Sequence, residues 1–154
     1  MQEAYGCKVG LKSPAHITVV PPFWMDAAKE AELKEDTRSV AGSVSPLIVY
    51  TNNFSTFGLR TLFVAVKENP FLNALKESAD QYFSNKAYKL KKDLRPFHPH
   101  ITIATRDLRK KDFAEAWMQV KDKRFEESFE AAGLSLLKHN GNKWEVINTA
   151  MFAV

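Results

Sequence analysis

The pattern of apolar and polar positions along the chain predicts short strands interleaved with amphipathic helices. Strands are expected where β-branched and aromatic residues cluster between turn residues, and helices where apolar residues recur every three or four positions. The predicted strands lie at 15–20, 47–54, 61–67, 99–105, 129–138 and 143–152, with a short extended segment at 8–11. The predicted helices lie at 26–40, 69–83 and 107–121. This mixture indicates an α+β protein.

Turn and cap residues set the boundaries of these elements. Three polar residues are placed to cap the helices: Asp26, Asn69 before Pro70, and Asp107. Segments 47–54 and 61–67 are expected to pair as one hairpin. The Asn140-Gly141 dipeptide tolerates positive φ and is expected to join the last two strands as another.

The order of the predicted elements repeats along the chain. A strand, a helix and a pair of strands follow one another at 16–67 and again at 100–152. Outside the first strand the two halves share little sequence, so this is a repeat of pattern rather than of residues. We therefore predict a single domain, 1–154, built from two related lobes.

Composition and charge limit the range of partners. At 154 residues and 45% apolar, the chain can bury the core of one domain. A net charge of +4 favours an anionic ligand and equally suits an ordinary solvated surface. The lone Cys7 excludes an intrachain disulfide, so a reducing, cytoplasmic setting is expected. The longest apolar run, 62–66, is far shorter than the roughly 18 residues of a membrane span, and no membrane partner is expected.

The strongest chemical signal is a four-residue motif that occurs twice, as His16-Ile17-Thr18-Val19 and as His100-Ile101-Thr102-Ile103. Residue frequencies predict only about 0.007 occurrences of it in this chain. On a strand, the His and Thr of each copy point to one face and the aliphatic residues to the other. A lone strand histidine is more often structural, but the duplication favours a functional role.

The residues around the two copies extend the pattern. With Pro21-Pro22-Phe23 after the first copy and Phe97-His98-Pro99 before the second, the chain resembles the two-histidine phosphoesterase superfamily, in its 2′-5′ RNA ligase-like branch, from about Cys7 onward. The resemblance implies a bilobal α+β fold with antiparallel sheets, pseudo-twofold symmetry and outer helices. It also implies that each lobe brings one motif strand to a central groove, where phosphate esters are cleaved or formed without a metal or cofactor.

The start of the chain departs from this family pattern. Members open with an apolar strand and a helix, whereas residues 1–6 here are polar and begin where that helix would be ending. The N-terminal strand and helix of the family are therefore expected to be missing, which leaves one sheet edge without a partner. Unpaired N–H and C=O groups on an edge pair readily with another chain, so a homodimer through this edge is expected. If the natural protein instead begins upstream, the longer chain would be a monomer.

The two motifs carry the groups that displacement at phosphorus requires. One group takes a proton from the attacking oxygen, and another gives a proton to the leaving oxygen on the opposite side. His16 and His100 suit these roles because imidazole populates both protonation states near neutral pH, and the sequence does not say which acts as base. Thr18 and Thr102 are expected to donate their hydroxyl hydrogens to the non-bridging phosphate oxygens.

Four further residues are candidates for substrate binding, each with a simpler structural interpretation beside it. Arg106 resembles a basic position common in the family, and Arg60 stands at the mouth of a predicted strand. Each arginine either binds phosphate or is a solvated surface residue. Phe23 and Phe97 lie within a few residues of a motif, and they either stack on a base or pack the lobes together.

His98 requires separate treatment, because His98 and His100 form an H-x-H pair that could bind a metal. Zinc sites in proteins use three or four protein ligands. No third ligand is evident from the sequence, so no metal site is expected.

Three functions are compatible with these observations. The leading interpretation is a metal-independent phosphoesterase that opens a 2′,3′-cyclic phosphate, or cuts or joins a 2′-5′ linkage, in RNA or a small nucleotide. The alternative is an RNA- or nucleotide-binding module that uses the same groove without turnover. A shortened lobe supports it, because misplacing an imidazole by about 1 Å removes roughly two orders of magnitude of rate. A purely structural role would require the duplicated motif to arise for packing alone.

Overall fold

The computed structural model describes residues 2–154 as an α+β chain, which confirms the predicted fold class. Its helices are α1 (Gln2–Tyr5), α2 (Glu30–Ala41), α3 (Pro70–Ser84) and α4 (Lys110–Val120), with 3₁₀ turns at Val9–Lys12 and Ala27–Lys29. Its strands are β1 (Leu47–Phe57), β2 (Thr61–Val66), β3 (His100–Thr105), β4 (Ser128–Ala131), β5 (Gly133–His139) and β6 (Trp144–Met151). In the described residues, every helix is too short or too polar to cross a bilayer.

A four-stranded antiparallel sheet in the order β3-β2-β1-β4 carries the second motif at one edge. The predicted hairpin of β1 and β2 is confirmed. Between β2 and β3, Leu62 pairs with Ala104 and Phe63 pairs with Thr102. The register shifts between these two pairs, so Ile103 is an extra residue on β3, and Ala104 and Thr102 face opposite ways although they are two positions apart. Leu62 and Ala104 pack toward α4, while Phe63 and Thr102 face the other way. The polar side chain of the second motif is thereby directed away from the α4 side of the sheet.

The predicted strand at 129–138 is wrong as a single element. Its first part is β4, which pairs with β1, and the rest is β5, which pairs with β6. The chain changes sheets at Gly133, where a Cβ atom would lie 2.6 Å from the carbonyl oxygen of Ala150. The β5–β6 hairpin itself is confirmed, and Gly141 in its turn has a φ of 98°.

The first motif does not form the predicted strand. Residues 15–20 contain one isolated antiparallel bridge, from Ile17 to Ile101 of β3. Segment 8–11 is likewise not extended. Its residues 9–11 belong to the 3₁₀ turn Val9–Lys12, and Lys8 directly precedes that turn. The prolines at 14, 21 and 22 lack the N–H groups that a longer ladder would use, so the extended stretch between them is short.

Two of the three predicted helix caps are confirmed. The side chain of Asp26 accepts a hydrogen bond from the N–H of Ala28, and a 3₁₀ turn then leads into α2. The side chain of Asn69 accepts hydrogen bonds from two N–H groups in the first turn of α3, and Pro70 is the first helical residue. Both helices therefore begin where local sequence chemistry places them.

The predicted cap at Asp107 is wrong, because α4 begins after Arg109. The Asp107 carboxylate instead accepts hydrogen bonds from the N–H groups of Lys8, at 2.5 Å, and Val9, at 2.8 Å. The first N–H groups of a helical turn have no partner within it, so a carboxylate distant in sequence satisfies them. Asp107 thus fastens the N-terminal segment to the end of β3.

Two buried clusters form the core. The larger joins α2 and α3 to β1 and β6, and the smaller packs Phe113 and Ala116 of α4 against Leu62 and Ala104. The buried residues of α3 are Leu72, Leu75, Ala79 and Phe83, which recur at the three- and four-residue spacing of one helix face, whereas Phe71 is exposed. Val20, Phe23 and Met25, which follow the first motif, pack against the larger cluster. Side-chain packing therefore holds this segment in place of strand hydrogen bonds.

A buried carboxylate ties the segment before the second motif to α2. Asp36 accepts hydrogen bonds from the hydroxyls of Tyr82, at 2.9 Å, and Tyr88, at 2.7 Å, and lies 2.9 Å from the Lys86 ammonium. Burial raises the pKa of Asp36, but the hydrogen bonds from Lys86, Tyr88 and Tyr82 outweigh it and hold that pKa below its usual range. The chain between α3 and β3 is therefore fixed at Tyr88.

Replacing Asp36 with Asn is expected to lower the free energy of unfolding at pH 7 by about 2–3 kcal/mol, because three donors lose a charged acceptor. Solvent compensates Lys86 in part, since about a third of its side chain is exposed. Because the folded-state pKa lies below the unfolded value of about 3.9, the stabilisation is present above that value. It is lost as the pH falls through the lowered folded-state pKa.

Urea unfolding at pH 7 and pH 3 measures this effect, and the gap between wild type and Asp36→Asn should narrow at the lower pH. The control is Glu35→Gln, which breaks a pair with Arg38 that is exposed on both sides and should change stability by no more than about 0.5 kcal/mol. A gap of equal size at both pH values would contradict the role given to the Asp36 charge.

Candidate active site

The Ile17–Ile101 bridge brings the two copies of the motif side by side. In an antiparallel register the neighbours of a bridged pair face each other crosswise, so His16 lies opposite Thr102 and Thr18 lies opposite His100. These four side chains share the face opposite to that of Ile17, which packs against the larger core cluster. Each histidine is therefore beside the threonine of the other copy, about an approximate twofold axis through the bridge.

Both motif imidazoles are held by the same backbone contact. Nδ1 of His16 lies 2.6 Å from the carbonyl oxygen of Pro14, and Nδ1 of His100 lies 2.7 Å from that of His98. A carbonyl oxygen only accepts, so Nδ1 is the donor in both rings. The other ring nitrogen, Nε2, is then an acceptor in the neutral ring and a donor in the cation.

Two phenylalanine rings support His100. Its ring centroid lies 4.8 Å from that of Phe57 and 5.1 Å from that of Phe63, and the His100 and Phe57 planes are nearly perpendicular at 89°. His98 contacts the same two rings at 5.1 and 5.7 Å. Packing on these rings, together with the carbonyl contact at Nδ1, restricts rotation of the His100 ring. His16 is more exposed.

The segment before the first motif is fixed to β3 at two points. One is the pair of hydrogen bonds from Lys8 and Val9 to Asp107. The other is Gly10, where a Cβ atom would come 2.4 Å from the carbonyl oxygen of Ile103. Such an approach is open only to glycine, because no larger residue fits without moving backbone. These contacts hold the segment that leads to His16 close to β3.

The threonines of the motif differ in their surroundings. Thr102 is half-buried beside Phe63, and Thr18 is exposed. Neither hydroxyl makes a hydrogen bond to another group in residues 2–154. Both are therefore free to donate to an anionic ligand placed between the histidines.

The family relationship agrees with this arrangement. The sequence model of the 2′-5′ RNA ligase superfamily matches residues 1–143. The chain belongs to this superfamily. The resemblance carried by the duplicated motif is thereby confirmed. No curated protein matches the chain.

Three solved structures share the fold of this chain. LigT from E. coli, crystallised with 3′-AMP, matches with a TM-score of 0.61 at 16% identity, over 90% of this chain and 76% of LigT. TT0787 of Thermus thermophilus also gives a TM-score of 0.61, at 17% identity, over 90% of this chain and 78% of its own. A third solved structure, of a phosphoesterase, gives a TM-score of 0.61 at 16% identity, over 91% of this chain and 78% of its own. At these identities the likeness establishes the fold alone.

Arg60 and Arg106 lie at the opposite end of the four-stranded sheet from His100. They flank the paired Thr61 and Thr105, whose hydroxyl oxygens are 3.0 Å apart. At about 3.3 Å per residue, β3 places Thr105 roughly 17 Å from His100. Both arginines are exposed, and Arg106 has a left-handed φ of 60°. The structure brings the two arginines to one end of the sheet rather than beside the histidines.

Phe23 and Phe97 make packing contacts. Phe23 is half-buried, with its ring centroid 5.8 Å from that of Tyr88, and Phe97 packs against the larger core with the Lys76 ammonium 5.9 Å from its ring centroid. These contacts match the simpler interpretation of the two residues. The solvent-facing aromatic residue in this region is Trp24, which is 93% exposed.

The donor sets in the described residues offer little to a metal ion. Between residues 2 and 154, no three or more His, Cys, Asp or Glu side chains are grouped so that they could hold one. The rings of His98 and His100 are 6.4 Å apart between centroids, and both pack on Phe57 and Phe63.

Sequence reasoning missed the groups that orient the imidazoles. The acceptors at Pro14 and His98 are backbone carbonyls, which carry no residue-type signal, although each lies two positions before a motif histidine. Phe57 lies beyond the predicted end of its strand at 54, because β1 continues for three more residues. Gly10 looks like a turn residue in sequence, and only its contact with Ile103 shows its role.

Proposed function

We propose that this protein is an enzyme that opens a 2′,3′-cyclic phosphate, or cleaves or joins a 2′-5′ linkage, in RNA or a small nucleotide. The observation that carries the proposal is the antiparallel bridge between Ile17 and Ile101, whose register sets His16 against Thr102 and His100 against Thr18. Superfamily membership supports an enzyme of this kind. The complex of LigT with 3′-AMP supports a nucleotide ligand. The single buried thiol of Cys7 supports a reducing, cytoplasmic setting.

The proposed reaction uses the two imidazoles on opposite sides of the phosphate. In hydrolysis of a cyclic phosphate, one neutral histidine takes a proton from water through Nε2 as the water oxygen bonds to phosphorus. The other histidine, as the cation, gives its Nε2 proton to the ribose oxygen as the P–O bond breaks. Each transfer contributes roughly 10²–10⁴-fold. The two histidines end in exchanged protonation states, and solvent restores them.

The threonines complete the proposed site. Hydroxyls of Thr18 and Thr102 donate hydrogen bonds to the non-bridging oxygens, whose charge is redistributed in the transition state. Because each threonine faces the histidine of the other motif, a phosphate between the motifs is held from both sides. All of these steps use groups of this chain, so the proposal includes no metal or cofactor.

A binding module without turnover is the second candidate. It is favoured by the weak attachment of the first motif, which meets β3 through one bridge only and leaves His16 exposed. If that attachment is too loose, the groove would bind RNA or a nucleotide while the imidazoles remain out of position.

Substitution of the two histidines separates these functions. His16→Ala and His100→Ala are each expected to lower kcat/KM for a 2′,3′-cyclic nucleotide by at least roughly 10²–10⁴-fold, because each removes one proton transfer. Thermal unfolding should change little in His16→Ala, since that ring is exposed, whereas His100→Ala should lose some stability because its half-buried ring packs on Phe57 and Phe63. Product formation measured by chromatography and a melting curve provide the data.

His139→Ala is the matched control, because His139 is an exposed histidine at the end of β5. It should retain full activity. Turnover that is unchanged in both motif variants would contradict the assignment of base and acid. Nucleotide binding by the wild type without any turnover would favour the binding module.

We also propose that the protein forms a homodimer through the open edge of β6. Among the strands of residues 2–154, β6 pairs with β5 alone, and its Val146 and Met151 are 47% and 63% exposed. An edge with unpaired N–H and C=O groups is a template for a second chain. Light scattering over a concentration series should show a shift from monomer to dimer, and Met151→Pro should oppose it. Phe152 donates its N–H toward the β5 side, to the carbonyl oxygen of Ala132, so the N–H of the preceding Met151 points to the open edge. A monomer at the highest concentration would contradict the proposal.

A further inference from the structure

A cavity of about 370 Å³ lies between the segment that leaves the first motif and the segment that leads to the second. Its walls come from residues 24–29 and 87–89. His16, Thr18, His100 and Thr102 do not line it. A ligand in this cavity is therefore not the group that reacts between the histidines, although both motif segments pass beside it.

The base of the cavity is rigid. Tyr88 is only 9% exposed, and its hydroxyl is bound to Asp36 at 2.7 Å. Phe23 packs against the Tyr88 ring from the protein side. Asp26 is also engaged, because its side chain accepts the N–H of Ala28 at 2.9 Å. These contacts preform the cavity before a ligand enters.

The rim of the cavity has the chemistry that recognises a nucleotide. Trp24 presents a 93% exposed indole, which offers an unoccupied stacking surface. Lys29 and Lys89 lie on the same rim, and neither ammonium forms an ion pair within the described part of the chain. Lys91 and Lys92 continue the positive charge and are exposed. An aromatic face beside free cations is the combination that binds a base and its phosphate.

We propose that this cavity binds one nucleotide of a single-stranded RNA whose scissile phosphate lies between His16 and His100. The base stacks on Trp24, and the phosphate contacts Lys29 and Lys89. Trp24 is six residues from Thr18, at most about 22 Å away, so a strand of a few nucleotides reaches both places. The inference rests on the proposed function and specifies its substrate class as an RNA strand rather than a free mononucleotide.

The first test measures binding without turnover, by fluorescence anisotropy of a labelled single-stranded oligoribonucleotide of mixed sequence with His100→Ala as the background. Trp24→Ala is expected to weaken binding about 10-fold to 100-fold, and Trp24→Phe should retain part of the affinity. Phe71→Ala is the matched control, because Phe71 is an aromatic residue on α3 that is 72% exposed. It should bind as tightly as the background protein.

The second test concerns the two lysines. Removing both with Lys29→Ala and Lys89→Ala should reduce the slope of log K against log salt by about 1.4, which is about 0.7 for each lost contact with a single strand. The pair Lys110→Ala and Lys111→Ala removes the same charge from the exposed start of α4 and should leave the slope unchanged. If the two double variants reduce the slope equally, the proposal that the phosphate binds at this cavity is wrong.

Turnover distinguishes failure of the subsite from failure of the proposed reaction. In the active protein, Trp24→Ala should lower kcat/KM for an oligoribonucleotide ending in a 2′,3′-cyclic phosphate about 10-fold to 100-fold more than for the cyclic mononucleotide. RNA binding that depends on Trp24 without any turnover would support the subsite while the proposed reaction fails. Binding that is unchanged in Trp24→Ala, or absent in the wild type, would overturn the subsite even if cyclic mononucleotides are hydrolysed.

Discussion

The site depends on one backbone bridge, between Ile17 and Ile101. A bridge of this kind contributes little by itself, so the position of the first motif comes from its anchors. Asp107 binds the backbone at Lys8 and Val9, and Gly10 lies against β3 at a distance that excludes a side chain. The apolar residues of the motif pack on the larger core. Tertiary contacts therefore fix the position of the first motif, whereas the hydrogen bonds between β2 and β3 fix the position of the second.

The parts of the fold that local chemistry decides could be predicted from sequence. Asn69 followed by Pro70 starts a helix wherever it stands, and Asn140-Gly141 forms a tight hairpin because glycine accepts positive φ. The parts decided by competition between distant partners could not. Asp107 accepts N–H groups from a remote turn instead of the next helix, and the segment 129–138 is divided because β1 and β6 each pair with part of it.

The candidate site shows the same division. The histidines and threonines stand out as candidates because the motif occurs twice, and the register of one bridge then sets their crosswise pairing. The groups that orient them could not, since a carbonyl at Pro14 or His98 is present in every residue. Proximity to a motif also did not predict which aromatic ring is exposed to solvent. Phe23 turns inward to Tyr88, and its neighbour Trp24 is the ring left in solvent.

The most direct measurement on the bridge is Gly10→Ala in the full chain, with hydrogen exchange of residues 13–20 and kcat/KM for a 2′,3′-cyclic nucleotide followed together. The exposed Lys12 of the same turn provides the control, Lys12→Ala. The added methyl group should push the turn from Ile103, accelerate exchange in 13–20 but not in β2, and lower kcat/KM by about 100-fold. Faster exchange with unchanged turnover would contradict the claim that this bridge builds the site.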